Sequence, residues 1–294
     1  MGTTKIEWAE RSWSPITGCS PISEGCQNCY AARMAKRLAG RYKYPKDDPF
    51  KVTFHPERLD EPGRWKKPSM IFVVSMGDLF HEDVSEFDIK AILYEIAQTR
   101  RHTFLCLTKR PERMVQIASD YGDFRGDFPN LWLGVTAENQ QRADERIPKL
   151  LSIPAAKHFV SIEPMLGPVN LNKLYESIGG LPHPSGGWAT PISWVICGGE
   201  TGPKARPMHP DWVRSLRDEC VAAGVPFFFK GWGEWQPVRD MDIFDPLVGM
   251  KTSDKRYYSL PQNSCGAGMI RVGKKKAGRE LDGRLWEEMP NAKF

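Results

Sequence analysis

Six short apolar runs punctuate the chain, at Met70–Val74, Thr103–Leu107, Leu131–Val135, His158–Ile162, Trp194–Cys197 and Val225–Phe229. Most are continuously apolar rather than alternating, the pattern of parallel strands covered on both faces. Helical periodicity separates several of them. Glu86–Arg100 places Ile89, Ile92, Leu93, Ile96 and Ala97 on one face. Pro111 suits the first turn of a helix carrying Met114, Val115 and Ile117. Asp211–Ala223 carries Trp212, Val213, Leu216 and Cys220, with Gly224 behind it as a C-terminal cap. The short segment Trp13–Gly18 adds a strand ahead of Cys19. Strand alternating with helix predicts a parallel sheet. With about six to eight strands, the expected fold is α/β, a full or partial (β/α) barrel.

The strand ends share a chemistry. The runs lead in turn to Ser75-Met-Gly-Asp78, Thr108-Lys109-Arg110, Glu138-Asn139, Glu163, Gly198-Gly-Glu200 and Lys230 with Trp232 close behind. Repeated charge at the ends of apolar strands is the pattern of a barrel whose C-terminal rim is an active site. The plainer alternative is that the charges mark where each strand meets water. On the first reading Asp78, Lys109, Glu138, Glu163, Glu200 and Lys230 line one cavity.

Between the first strand and the first helix lies a second signal, Cys19-Ser-Pro-Ile-Ser-Glu-Gly-Cys26-Gln-Asn-Cys29-Tyr30. Its spacing is C-x6-C-x2-C. Such a cluster points to a metal site or redox chemistry rather than to disulfides. Three thiolates suit a [4Fe–4S] cluster with one iron left open. A zinc site needs a fourth ligand, and the nearest histidine in sequence is His55. Zinc completed by a distant residue, or unrelated structural cysteines, are the alternatives that spacing leaves. Of the other four cysteines, Cys106 and Cys197 fall inside apolar runs and read as core residues, while Cys220 and Cys265 are scattered.

Three segments stand outside the repeat. Arg41–Lys67 is polar and proline-rich and reads as a long loop or small subdomain beside the cysteines. Gly179–Pro191 reads as a surface connection. Residues 1–233 are expected to form the barrel and 234–294 a C-terminal extension. In the extension Arg271, Lys274, Lys275, Lys276 and Arg279 crowd together. That basic run is either a solvated tail or a lid that touches phosphate. The net charge of +5 permits a nucleic-acid partner without requiring one. Ten tryptophans suit a site for flat ligands. No apolar run is long enough to span a membrane, and the N-terminus carries no targeting signal, so the protein reads as cytoplasmic. Gly198-Gly-Glu-Thr-Gly202 lacks the spacing of a P-loop.

The loop Gly25-Cys26-x-x-Cys29-Tyr30-Ala31, leading into a helix, resembles the cluster loop of radical S-adenosylmethionine (radical SAM) enzymes. Trp13-Ser-Pro-Ile-Thr-Gly-Cys19, Ser75-Met-Gly-Asp-Leu-Phe-His81, Leu107-Thr-Lys-Arg-Pro111, Ser161-Ile-Glu-Pro164, Gly198-Gly-Glu-Thr-Gly202 and Phe228-Phe-Lys-Gly-Trp-Gly233 are similar to a family of phage- and bacterium-encoded radical-SAM-like proteins. This resemblance runs through nearly the whole chain. The chain departs from the commonest C-x3-C-x2-C spacing, and its aromatic residue follows the third thiol instead of preceding it.

The resemblance implies a barrel enzyme in which Cys19, Cys26 and Cys29 hold a [4Fe–4S] cluster. S-adenosylmethionine would bind the open iron and be cleaved reductively to a 5′-deoxyadenosyl radical. An electron donor such as flavodoxin or ferredoxin is implied with it. Ser75 and Asp78 stand where the family contacts the cofactor's amino group, and Glu138 joins them as a cofactor contact. A Gly-Gly-Glu segment has that role in many such enzymes, but here it comes four strands later, so the role is not carried to Glu200. Lys109, Glu163, Glu200 and Lys230 remain as candidate catalytic residues. The expected substrate is a nucleic acid or nucleotide undergoing modification or repair. The alternative is a zinc-stabilised nucleic-acid-binding or interaction protein without catalysis.

Overall fold

The structure, a computed structural model, describes residues 4, 6–177, 179, 192–239, 257–259 and 267–291. Its centre is a seven-stranded parallel sheet: β1 Arg11–Trp13, β2 Met70–Val73, β3 Thr103–Thr108, β4 Leu131–Thr136, β5 Lys157–Ile162, β6 Ile192–Gly198 and β7 Phe227–Gly231. The strands pair strictly in chain order, each parallel to the next. Among the described residues β1 and β7 do not pair, so the sheet is a curled, open (β/α) barrel. The expected α/β partial barrel is the fold observed. All six apolar runs became strands, with ends shifted by a residue or two. The strand expected within Trp13–Gly18 is divided: β1 ends at Trp13, and Ile16–Thr17 pairs with Thr53–Phe54 instead.

Continuous apolarity has the expected cause, burial on both faces. One face packs under the helices through residues such as Ile71, Phe104, Leu133, Val160, Val195 and Phe229. The other fills the barrel interior with Leu105, Trp132, Phe159, Trp194, Ile196 and Phe228. Trp8, from the segment before β1, inserts into this interior with its ring 4.8 Å from Phe72 and 6.0 Å from Trp194. Gly134 has no alternative here, because a Cβ would meet the Phe159 ring at 2.5 Å.

The helices that bear on the site and its supports are α1 Tyr30–Leu38, α2 Glu86–Gln98, α3 Pro111–Ser119, α4 Gln140–Leu151, α5 Leu171–Ser177, α6 Pro210–Ala222 and α7 Lys274–Ala277; single turns at Glu61–Arg64 and Phe124–Asp127 are also helical. Ser85 caps α2 by accepting from Asp88 N, and Asn139 caps α4 by accepting from Arg142 N. Pro111 opens α3, and Gly224 follows α6 at φ +65°. Arg41–Lys67 is a loop with short helical turns. Arg101 binds it by donating to the carbonyls of Pro62, Gly63 and Trp65. The C-terminal part forms a separate three-stranded antiparallel sheet, β8 Trp235–Arg239, β9 Tyr257–Ser259 and β10 Ala267–Arg271, ahead of α7. Most of the expected surface connection Gly179–Pro191, and Cys265, lie outside the described residues. No described helix is long and apolar enough to cross a membrane.

Candidate functional site

The cysteine loop crosses the C-terminal mouth of the barrel. It starts at Gly18, whose N–H donates to Met76 O just beyond β2, whose φ is +91°, and where a Cβ would lie 2.2 Å from Lys51 O. A single 3-10 turn, Glu24–Cys26, then leads to Cys29, which stands at the N-cap of α1. All three thiols are half-buried and unpaired in disulfides.

The rim of the barrel reaches this loop from several strands. Ser23 Oγ donates to Glu138 at 2.6 Å, beyond β4. Arg142 binds the Glu24 carboxylate at 3.0 Å, and Asn139 donates to the same side chain. Asn28 donates to Glu200 at 2.9 Å, beyond β6. Arg206 links Glu200, at 2.6 Å, to the Glu24 carbonyl, at 3.0 Å. His81 Nε2 meets Ser20 Oγ at 2.7 Å. The approach is so close at Gly25 that a Cβ there would lie 2.3 Å from Glu138 Oε1.

Two cations beyond β3 touch sulfur directly. Lys109 Nζ lies 3.7 Å from Cys26 Sγ, and Arg110 Nη1 lies 3.4 Å from Cys19 Sγ. Their effects differ. Burial pushes the Cys26 thiol up, but the Lys109 charge and hydrogen bonds around Ile22 and Ser23 bring it below its ordinary value. Burial and the Asp78 carboxylate push Cys19 up to about 11 in spite of Arg110. Glu138 is fully buried between Lys109 at 2.6 Å and Arg146 at 2.9 Å. Burial raises its pKa, and the two cations more than reverse that. Glu200 behaves likewise: Arg206 and Asn28 outweigh its burial.

The predicted site residues fall into two groups. Lys109, Glu138 and Glu200 meet the cysteine loop, and Asp78 braces the residues beneath it. Asp78 accepts from Thr108 Oγ1 at 2.7 Å, Phe80 N at 3.0 Å, Lys109 N at 3.2 Å and Arg110 at 3.3 Å. Ser75, Glu163 and Lys230 instead line a cavity of about 1390 Å³ that opens beside the loop. Lys230 Nζ and Glu163 Oε1 are 2.7 Å apart. Burial lowers the Lys230 pKa, but the Glu163 carboxylate carries it above the ordinary lysine value. Tyr30, directly after Cys29, also faces the cavity, as do Gly198 and Gly199 and the lysines of α7.

Residues 3–290 match the family described as Protein of unknown function (DUF5131). The chain belongs to that family. No curated protein matches the sequence. Among solved structures, the chain is similar to spore photoproduct lyase. A cysteine-to-serine mutant of that protein is 12% identical, with 94% of this chain and 72% of that chain covered and a TM-score of 0.47. A complex of the lyase with a dinucleoside spore photoproduct gives the same values. A double mutant with bound AdoMet and the dinucleoside is 11% identical over 90% and 68% of the two chains, at 0.46. Similarity at this level decides nothing about chemistry in this DUF5131 chain.

Several residues of the site carried no local signal. Arg206 sits in a polar stretch and Arg142 and Arg146 on an ordinary amphipathic helix. Their partners on the cysteine loop or at Glu138 become neighbours through the fold. Strand parity was the signal available. Lys109, Glu163 and Lys230 continue the every-second-residue phase of Leu105, Phe159 and Phe228, the interior face of the barrel.

Proposed function

We propose that the protein is an iron–sulfur enzyme of the radical SAM type, with Cys19, Cys26 and Cys29 holding a [4Fe–4S] cluster at the barrel mouth. The observation that carries this reading is an all-sulfur donor set, braced by the rim and touched by Lys109 and Arg110, next to a large cavity. Thiolates and a cluster concentrate negative charge, and the two cations offset it. Zinc takes about four donors, whereas a [4Fe–4S] cluster takes three thiolates on three irons and leaves the fourth iron open. A loop that offers three thiols suits the cluster by donor type and number.

When bound, the cluster and S-adenosylmethionine supply a 5′-deoxyadenosyl radical that removes hydrogen from a nucleotide-bearing substrate. The chain's own residues divide the remaining work. Lys109, Glu138, Glu200 and Asp78 are positioning residues that fix the loop and its sulfurs. Glu163, Lys230 and Ser75 face the cavity and meet the bound molecules: Glu163 suits an ammonium or hydroxyl, Lys230 a carboxylate or phosphate. The interior wall of Trp132, Phe159, Trp194 and Phe228 closes the barrel below them against water.

Anaerobic purification tests the reading. A brown protein with a broad band near 400 nm and about four irons per chain is expected. Cys19→Ser, Cys26→Ser and Cys29→Ser each remove the band, and with it the formation of 5′-deoxyadenosine from S-adenosylmethionine and dithionite. A colourless protein with about one zinc overturns the proposal.

A further inference from the structure

The basic run of the C-terminal part is neither a free tail nor detached from the site. It folds as α7 and the following turn, and Lys274, Lys275, Lys276 and Arg279 line the cavity mouth. Around them the acidic groups are mostly committed. Glu7 pairs with Lys274 at 3.1 Å, Asp282 with Arg214 at 2.9 Å and Arg217 at 2.6 Å, and Glu287 with Arg279 at 2.7 Å. Lys275 and Lys276 are exposed and have no acidic partner among the described residues. One carboxylate of the cavity lining, Glu280, likewise has no ion-pair partner among the described residues. Arg279 lines the same edge, but its guanidinium is already paired with Glu287. Two lysines without an acidic partner at the edge of a cavity make a positive lip that suits an anionic ligand.

We propose that the substrate is a polynucleotide strand rather than a free nucleoside. Its phosphodiester backbone crosses the lip at Lys275 and Lys276 while one base enters the cavity. This rests on the enzyme reading given above and names its substrate class. Lysines on a short helix track phosphates as point charges, without reading sequence. Exposed Tyr30 at the cavity wall offers an entering base a ring to stack on. A lipid surface fits less well, because the lysines edge a deep cavity rather than a flat apolar face.

The test is anisotropy of a fluorescein-labelled single-stranded DNA oligonucleotide, titrated with the anaerobically purified protein at several salt concentrations. Lys275→Ala/Lys276→Ala is expected to weaken binding about tenfold. It should also make the slope of log K against log salt shallower by about 1.4, or 0.7 per phosphate contact. Lys90→Ala, on the outer helix α2, leaves both unchanged. The double variant keeps the iron content of the wild type. Equal affinity and slope in wild type and double variant overturn the proposal. So does wild-type protein that carries iron and cleaves S-adenosylmethionine but binds only anionic phospholipid vesicles or nothing. Protein without iron refutes the enzyme reading alone, and the DNA titration still judges the lip.

Discussion

Glu138 concentrates the logic of the site in one side chain. Fully buried, it accepts from Ser23 of the cysteine loop and is flanked by Lys109 and Arg146. A carboxylate in that position balances two cations that have little water around them. Glu138→Gln keeps the shape and one acceptor but removes the charge. Leaving a buried charge unpaired is costly, and the expected loss is about 3 kcal/mol in urea unfolding. Because Lys109 also touches Cys26, the variant is expected to retain less iron than wild type. An unchanged unfolding midpoint would mean that water or the loop compensates, and that Glu138 is free for a bound molecule. Nothing local in the sequence separates these roles. A charged residue after an apolar strand looks the same whether it faces a ligand or braces a loop. The difference lies in Ser23 and Arg146, one of them over a hundred residues away.

At the scale of elements, the cysteine loop is closed at its base by a short antiparallel strand pair that the sequence did not mark. Ile16–Thr17 and Thr53–Phe54 are too short for a periodic signal. His55 secures this pair through Thr17 Oγ1, at 2.8 Å from its Nε2, and through its N–H to Pro15 O at 2.7 Å. Burial, and after it the Arg58 guanidinium, push the His55 imidazole down to about 4. The folded protein therefore keeps His55 neutral while the unfolded chain, with a pKa near 6.5, takes up a proton. This contribution to stability is complete above pH 6.5 and is lost as the pH falls toward 4, at up to about 1.4 kcal/mol per unit. His81, His102 and His209 are also shifted down, so the whole profile falls in this window. His55→Gln is expected to make the fall of the unfolding midpoint between pH 6.5 and 4 shallower than in wild type. Parallel profiles would show that His55 carries its proton in the folded state. By contrast the sheet and its helices were legible, because residues buried on two faces must be apolar without interruption. The second sheet, β8–β10, was not: its strands are few and far apart in sequence, with no apolar run to mark them.

The whole molecule is an open barrel that needs something to fill it. Among the described residues β1 and β7 do not pair, which leaves the barrel open on that side, and Trp8 packs into its interior. The sequence marked the strands but not the plug, since one tryptophan in a polar N-terminal segment has no periodicity to show its destination. Trp8 is buried, packs edge-on against Phe72 and Trp194, and its indole N–H has no partner among the described residues. Two opposing contributions follow. The ring supplies apolar burial and aromatic contact, and Trp8→Ala is expected to cost about 3 to 5 kcal/mol. The unsatisfied N–H works the other way, since a buried donor without an acceptor costs about 1 to 3 kcal/mol. Trp8→Phe keeps a ring in place and removes that donor, so its expected cost is under about 1.5 kcal/mol. Urea unfolding of the two variants measures the difference directly. If Trp8→Phe is as damaging as Trp8→Ala, the indole N–H has an acceptor and the plug is held by polarity. If the phenylalanine variant stays close to wild type, packing alone closes the barrel, and the rim above it can be occupied by charge because the floor beneath is filled with rings.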